Sequence, residues 1–223
     1  MSTRLRALDS SVATKILIGV TGLALFLFLI THIIGNSLFL LGPTIFNTYA
    51  HTLTSNPLVP VIELGLLLIF LVHIVKAVKM FGANKQARPI QYERKEPAGA
   101  TSRKSLASST MILSGFWLLL FVVVHVKGFK YGPEYEGPGG VRDLYRLVAE
   151  AFGNPLIVLF YIVSMLVVGS HLWHGVSSAF QSLGVSHKQW TGRLLTFGRV
   201  AAVVISGGFV VIALWAYLFG GRS

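Results

Sequence analysis

Residues 16–41 read ILIGVTGLALFLFLITHIIGNSLFLL and contain no charged side chain. The hydrocarbon core of a bilayer is about 30 Å thick, and a helix of about 20 apolar residues crosses it. A secretory signal has a shorter apolar region of about 7–15 residues and a small-residue cleavage site. This stretch has no such site, so we expect it to remain in the protein as a first membrane helix.

Four more charge-poor stretches of similar length follow. The whole chain of 223 residues is 53% hydrophobic and 12% charged, with a mean hydropathy of +0.69, far from the average of soluble domains. We therefore predict an all-α integral membrane protein, a helix bundle with five transmembrane helices and a single transmembrane domain over residues 1–223. The predicted spans are 16–41, 58–81, 106–128, 155–183 and 195–219, with outer loops 42–57 and 129–154 and inner loops 82–105 and 184–194.

The basic residues are distributed unevenly between the two sides of the membrane. Of 19 Lys and Arg residues, 14 lie in segments 1–15, 76–104 and 188–199. Basic residues are enriched on the cytoplasmic side of membrane proteins, so the pattern predicts a cytoplasmic N-terminus. Orientation and attraction to anionic lipid account for the net charge of +11 without nucleic acid. Residues 85–97 are a further candidate for docking a cytoplasmic partner.

The chain contains no cysteine. This excludes disulfides, iron–sulfur ligation by this chain and covalent haem attachment through a C-x-x-C-H sequence. Any redox group that the chain holds must therefore be held by histidine.

Five of the seven histidines fall within the predicted spans, where an ionisable side chain is costly and usually functional. With a rise of about 1.5 Å per residue, two of them belong to the outer half of the membrane and three to the middle or inner half. The outer ones are His32 and His125, and the inner ones are His73, His171 and His174. The remaining two, His51 and His187, are predicted to lie in interfacial loops.

Two imidazoles at one depth on facing helices are what a bis-histidine b-type haem requires. The outer and inner groups therefore predict two haem b groups, stacked across the membrane to carry electrons between its faces. Zinc and di-iron sites want carboxylates or thiolates beside imidazole, and Glu63 is the only carboxylate within a span. Candidate residues for making room for or contacting the haems are Gly35, Asn36, Ala77, Gly128, Gly175 and Lys76.

Several short motifs resemble one family when they are read together. They are THIIGN at 31–36, FNTYAH at 46–51, LVHIVKA at 71–77, VVHVKG at 123–128 and GSHLWHGVSSAFQSLG at 169–184. In this order they resemble the five-helix dihaem cytochrome b membrane anchor, in its single-subunit form, of bacterial succinate:quinone and quinol:fumarate oxidoreductases. The resemblance covers nearly the whole chain; each motif alone is weak, and the ordered set is specific.

The resemblance implies the haem ligands His32, His73, His125 and one histidine of the fourth span. In the family that last segment looks like H-x-x-x-G with another glycine nine residues further on, which His171, Gly175 and Gly184 match. Depth alone leaves His174 as an alternative to His171. We follow the glycine spacing and favour His171 as the ligand.

The resemblance also implies the partners of the chain. These are a flavoprotein subunit with covalent FAD, on which the dicarboxylate chemistry takes place, an iron–sulfur subunit and a membrane quinone, with menaquinone favoured. The expected location is the bacterial inner membrane. No catalytic residue is assigned on this chain, and the quinone-site candidates are Glu63, Asn47, Tyr49 and His51.

Two other functions compete with this interpretation. Dihaem cytochrome b subunits of nitrate reductases and hydrogenases also combine about five helices with two haems. The motifs at 46–51 and 169–184, however, do not resemble sequences of those subunits. A transporter or membrane scaffold would use the histidines to line a polar pathway and would bind no haem.

Overall fold

The computed structural model of the chain describes residues 10–87, 106–185 and 188–222. Most of the predicted inner loop 82–105 lies outside the described residues. The same is true of most of the candidate docking segment 85–97 and of His187. The elements in chain order are α1 (Ser11–Ser37), a 3-10 turn (Leu38–Leu41), α2 (Pro43–Thr54), α3 (Val59–Gln86), α4 (Leu106–Ser109), α5 (Met111–Phe129), a 3-10 turn (Pro138–Gly140), α6 (Leu144–Phe152), α7 (Pro155–Ser182), α8 (Lys188–Phe219) and a 3-10 turn (Gly220–Arg222).

Five of these helices, α1, α3, α5, α7 and α8, are long and apolar enough to cross a membrane. The prediction of an all-α, multi-pass membrane protein is thus confirmed. Two helices are longer than the predicted spans. Helix α3 continues past residue 81 to Gln86, and α8 begins at Lys188 rather than at residue 195. Basic side chains tolerate such positions because their long stems let the charged head reach water.

The spanning helices form a four-helix bundle with a fifth helix on its side. Helix α1 packs against α3 and α7, α5 packs against α7, and α3 has a smaller contact with α5. Over their described lengths α1 and α5 do not pack closely on each other, and neither do α3 and α7. These two pairs are therefore the diagonals of the bundle, and α8 covers it by packing on α7 and α1.

Glycines allow α7 and α8 to pack closely. A Cβ at Gly169 would lie 2.8 Å from Ser206 Oγ, and one at Gly198 would lie 3.5 Å from the Val176 side chain. Small residues at a helix interface let the backbones approach, which is the usual basis of helix association in lipid. This close pair gives the bundle one rigid wall.

Two short helices, α2 and α6, cover one end of the bundle, which we call the outer end because the predicted topology places it outside. The chain turns at Gly42, whose φ of +98° favours glycine, and Pro43 then begins α2. Phe39, almost fully buried, stacks on Tyr145 of α6 with ring centroids 4.2 Å apart. Asp143 caps α6 by accepting a hydrogen bond from the Arg146 backbone N–H. The outer loops are thus folded against the ends of the spanning helices.

Candidate functional site

Four of the histidines lie on the two diagonals of the bundle. His32 on α1 is diagonal to His125 on α5, and His73 on α3 is diagonal to His171 on α7. Each diagonal therefore carries one histidine from either side, the first pair toward the outer end and the second toward the inner end of the helices.

The outer pair is in close contact. The rings of His32 and His125 have centroids 5.8 Å apart and are nearly perpendicular, at 86°. Two imidazole nitrogens that bind one metal ion from opposite sides, at about 2 Å each, require ring centres roughly 6 Å apart. The observed spacing of the outer pair is close to this value.

Aromatic side chains surround the outer pair. The His32 ring stacks on Phe28 at 5.1 Å and lies 5.6 Å from Phe209 of α8. The His125 ring lies 5.5 Å from Phe121, and its Nδ1 is 3.3 Å from the hydroxyl of Tyr161. These rings exclude water and supply the apolar walls that a flat macrocycle needs.

His73 is held by a hydroxyl group from the neighbouring helix. Its Nδ1 lies 3.0 Å from Thr21 Oγ1 of α1. The next residue on α1 is Gly22, where an added Cβ would lie only 3.2 Å from His73 Cε1. The glycine therefore gives the imidazole the room to lie against α1.

His171 is held in the same manner on the other side of the bundle. Its Nδ1 lies 2.9 Å from Ser114 Oγ of α5. The next residue is Gly115, where an added Cβ would lie 4.0 Å from His171 Cε1.

Sequence reasoning missed the hydroxyl partners, although a signal for them exists. Residues 21–32 read TGLALFLFLITH and residues 114–125 read SGFWLLLFVVVH. Both segments consist of a hydroxyl residue, a glycine, nine residues and a histidine, so α1 and α5 each contact an inner histidine and supply an outer one. Eleven residues of helix rise about 16 Å, which separates the two levels while keeping both within the bilayer core.

A buried hydrogen bond joins α5 and α7 between these two levels. Trp117 Nε1 donates to Ser164 Oγ at 3.1 Å, and Ser164 is fully buried. Ser164 in turn donates to the Phe160 carbonyl. The indole nitrogen is thus satisfied in an apolar region, where an unpaired donor would be costly.

His174 is placed differently from His171. Among the described residues no hydrogen bond reaches its ring, although its carbonyl accepts one from Ser177 Oγ at 3.2 Å. It lies three positions after His171 on α7, so the two side chains are neighbours on one side of the helix. Of the two histidines of α7, His171 is the one whose ring is hydrogen-bonded to the neighbouring helix α5.

The other candidate residues beside the histidines have varied surroundings. Asn36 donates from Nδ2 to the His32 carbonyl at 2.8 Å. A Cβ at Gly35 would lie 2.6 Å from the Tyr49 hydroxyl, so Gly35 makes room for Tyr49. Gly128 faces open space, and Gly175 lies near Met111. Ala77 and Lys76 are half-buried on α3.

The outer face contains a cavity of about 860 Å³ between α2, α6 and the C-terminal 3-10 turn. Of the quinone-site candidates, Asn47 and His51 line it. Both polar atoms of Asn47 are engaged, because Nδ2 donates to Asp143 at 2.7 Å and Oδ1 accepts from the Tyr145 N–H at 2.8 Å. His51 is exposed and is therefore the candidate that offers a polar ring to the cavity.

The last candidate, Glu63, is paired outside this cavity. Its carboxylate accepts a hydrogen bond from Lys130 Nζ, which follows the end of α5, and both side chains are about half exposed. The ion pair joins the outer ends of α3 and α5, so a role for Glu63 as a proton carrier would require it to exchange this partner.

Charged side chains on α6 form a network at the rim of the cavity. Tyr135 donates to Glu150, and Arg146 Nε donates to the same carboxylate at 2.7 Å. The hydrogen bond from Tyr135, followed by that from Arg146, lowers the pKa of Glu150. The Glu150 carboxylate therefore remains charged at neutral pH.

The ligand atoms that the bundle offers on its two diagonals are imidazole nitrogens. In the described part of the chain no three His, Asp, Glu or Cys side chains are grouped to hold a metal ion. Each diagonal supplies two imidazoles, which leaves the remaining positions to a ligand such as the four nitrogens of a haem macrocycle. The residues present thus fit a bis-histidine haem better than a protein-only metal site.

Comparison of the chain with protein-family models, with curated proteins and with solved structures finds no match. The assignment of function therefore depends on the residues and on their placement in the bundle.

Proposed function

We propose that this chain is the dihaem cytochrome b membrane anchor of a succinate:quinone or quinol:fumarate oxidoreductase in the bacterial inner membrane. The observation that carries the proposal is the placement of two histidine pairs on the two diagonals of one bundle, at two depths. Packed neighbours leave little space between them, whereas diagonal helices face each other across the bundle centre, where cofactors of helix bundles are held.

The roles of the histidines follow from this placement. His32 and His125 would hold the outer haem, and His73 and His171 would hold the inner haem. A haem held by these histidine pairs would supply one-electron transfer. The protein contributes the ligands, their orientation and an apolar surrounding.

Quinone binding is assigned to the outer face as part of the proposal. The cavity there is large enough for a small-molecule headgroup, and His51 supplies a hydrogen-bonding group on its wall. Menaquinone is the favoured quinone, and this choice depends on the family resemblance alone.

The choice of complex also depends on the resemblance, so it requires its own experiment. We expect the affinity-tagged chain, purified from its native membranes, to bring with it a flavoprotein with covalently bound flavin and an iron–sulfur protein. Addition of succinate should then reduce the b-type absorbance. A molybdenum protein or a hydrogenase in place of the flavoprotein would assign the chain to one of the other respiratory complexes.

A further inference from the structure

The inner histidines share a bonding arrangement that the outer ones lack. Each has its Nδ1 beside the hydroxyl oxygen of a residue on a neighbouring helix, with distances of 3.0 Å to Thr21 and 2.9 Å to Ser114. In the outer pair, His125 lies beside Tyr161 and His32 beside the amide of Asn36, at 3.3 and 3.4 Å. The short contacts to aliphatic hydroxyls are thus confined to the inner level.

The proton of each hydroxyl is already engaged. Thr21 Oγ1 lies 2.6 Å from the Leu17 carbonyl, and Ser114 Oγ lies 2.9 Å from the Met111 carbonyl, so each donates to its own helix. Two oxygen atoms this close need a proton between them, and a carbonyl has none to give. Each hydroxyl therefore has only lone pairs left for the imidazole.

An oxygen that presents only lone pairs requires a donor opposite it. The imidazole must then carry its proton on Nδ1, which leaves the lone pair on Nε2. In metal sites the ligating histidine usually donates its other ring N–H to a protein acceptor, which fixes its tautomer and raises the basicity of the ligand. The arrangement around the inner histidines matches this requirement on both sides of the bundle.

We propose that Thr21 and Ser114 are positioning residues that hold His73 and His171 with protonated Nδ1 and with Nε2 free to bind the inner haem iron. The inference rests on the proposed dihaem function and extends it to two residues on α1 and α5. Gly22 supports this arrangement on α1, because an added Cβ there would lie only 3.2 Å from His73 Cε1, whereas Gly115 leaves an ordinary distance of 4.0 Å to His171 Cε1.

The loss of either hydroxyl should lower the affinity of the inner site for haem and change the midpoint potential of that haem. Without the hydroxyl acceptor the imidazole becomes a less basic ligand, which stabilises ferric iron less, so the midpoint potential of the inner haem should rise. The rise should be smaller for the loss of Thr21, because the Ile18 carbonyl also accepts from the His73 ring. Removal of such partners typically lowers metal affinity by about 10–100-fold. The outer haem should keep its potential because its histidines have other partners.

The test uses spectroelectrochemical titration and haem counting on the full-length purified protein. Thr21→Val and Ser114→Ala remove the hydroxyls, and Thr21→Ser restores one. Ser206→Ala is the matched control, because Ser206 donates to the i−4 carbonyl of α8 at 2.6 Å and contacts no histidine ring. We expect Thr21→Val and Ser114→Ala to raise one of two potentials and to lower inner haem retention, with Thr21→Ser and Ser206→Ala like the wild type.

The outcomes separate this inference from the proposed function. A wild-type protein without haem overturns the proposed function, and the inference with it. A wild-type protein with two haems whose potentials and retention are unchanged in Thr21→Val and Ser114→Ala overturns only the inference. If Thr21→Val does not fold, Ser114→Ala, which removes a single oxygen atom, decides the question.

Discussion

At the scale of single residues, the bundle distinguishes two histidines that are three positions apart on α7. His171 is held at Nδ1 by Ser114 of α5, whereas no described residue holds the ring of His174. The glycine spacing that favoured His171 and this contact are independent observations. Both favour His171, which remains a prediction, as the histidine of α7 that would bind the inner haem.

Replacement of His171 by alanine should remove one of two haems, because the proposed function gives α7 a single ligand, Nε2 of His171. His174→Ala is the matched variant on the same helix and should retain both haems. Pyridine-haemochrome quantification of the purified variants checks this. Loss of a haem from His174→Ala together with retention in His171→Ala would reverse the ligand assignment.

The sequence alone predicted these histidines as ligands at two depths but did not predict their hydroxyl partners. Charge-free windows and basic flanks placed the five intramembrane histidines in two groups, because depth follows from the helical rise. Thr21 and Ser114 were not singled out, since a hydroxyl in an apolar span often only bonds to its own helix. The identity of a partner on another helix depends on the helix order, which the sequence does not state.

At the scale of elements, α1 and α5 carry equivalent parts of the candidate site. The hydroxyl, glycine and histidine occur at the same spacing in both helices. The glycine matters most on α1, because an added Cβ would lie 3.2 Å from the imidazole at Gly22 but at an ordinary contact distance of 4.0 Å at Gly115. Two consequences for the helices are testable.

Gly22→Leu should displace His73, because even its Cβ would lie 3.2 Å from His73 Cε1. The expected result is the loss of one of two haems from an otherwise folded protein, measured by the ratio of haem to chain. Gly65→Leu on α3 is the control, because a Cβ at that position meets no atom within 4 Å. Equal haem content in Gly22→Leu and the control would argue against this packing of the inner site.

Asn47→Ala should loosen the outer helices α2 and α6 from each other. The amide joins them through two hydrogen bonds, and their loss leaves Asp143 and the Tyr145 N–H without these partners. We expect the free energy of unfolding to fall by about 1–3 kcal/mol. Thr52→Ala, an exposed position on the same helix, should change it by less than about 0.5 kcal/mol. Denaturant titration in detergent compares the two variants, and equal stabilities would contradict the structural role of Asn47.

At the scale of the whole molecule, the number of spanning helices was predictable and their ends were less so. Apolar length indicates a span directly, so all five helices were expected. The ends of α3 and α8 lie in basic, polar sequence, where hydropathy gives no signal. The diagonal arrangement was not predictable either, since it is set by which helices pack together.

The orientation of the chain is a whole-molecule prediction that labelling can test. The chain has no cysteine, so an introduced one is the only thiol. The positive-inside pattern predicts that Tyr131→Cys, a highly exposed position after α5, reacts with a membrane-impermeant maleimide added to intact cells stripped of their outer membrane. Trp190→Cys at the start of α8 should react only after lysis. The opposite result would invert the topology.

If two histidine pairs on two diagonals hold two haems, the purified wild-type protein, produced with ample haem, contains two haem b groups per chain. Pyridine-haemochrome quantification with a reduced-minus-oxidised spectrum measures this ratio. A colourless protein without Soret absorption would contradict this prediction and would favour a transporter or scaffold with histidines along a polar pathway.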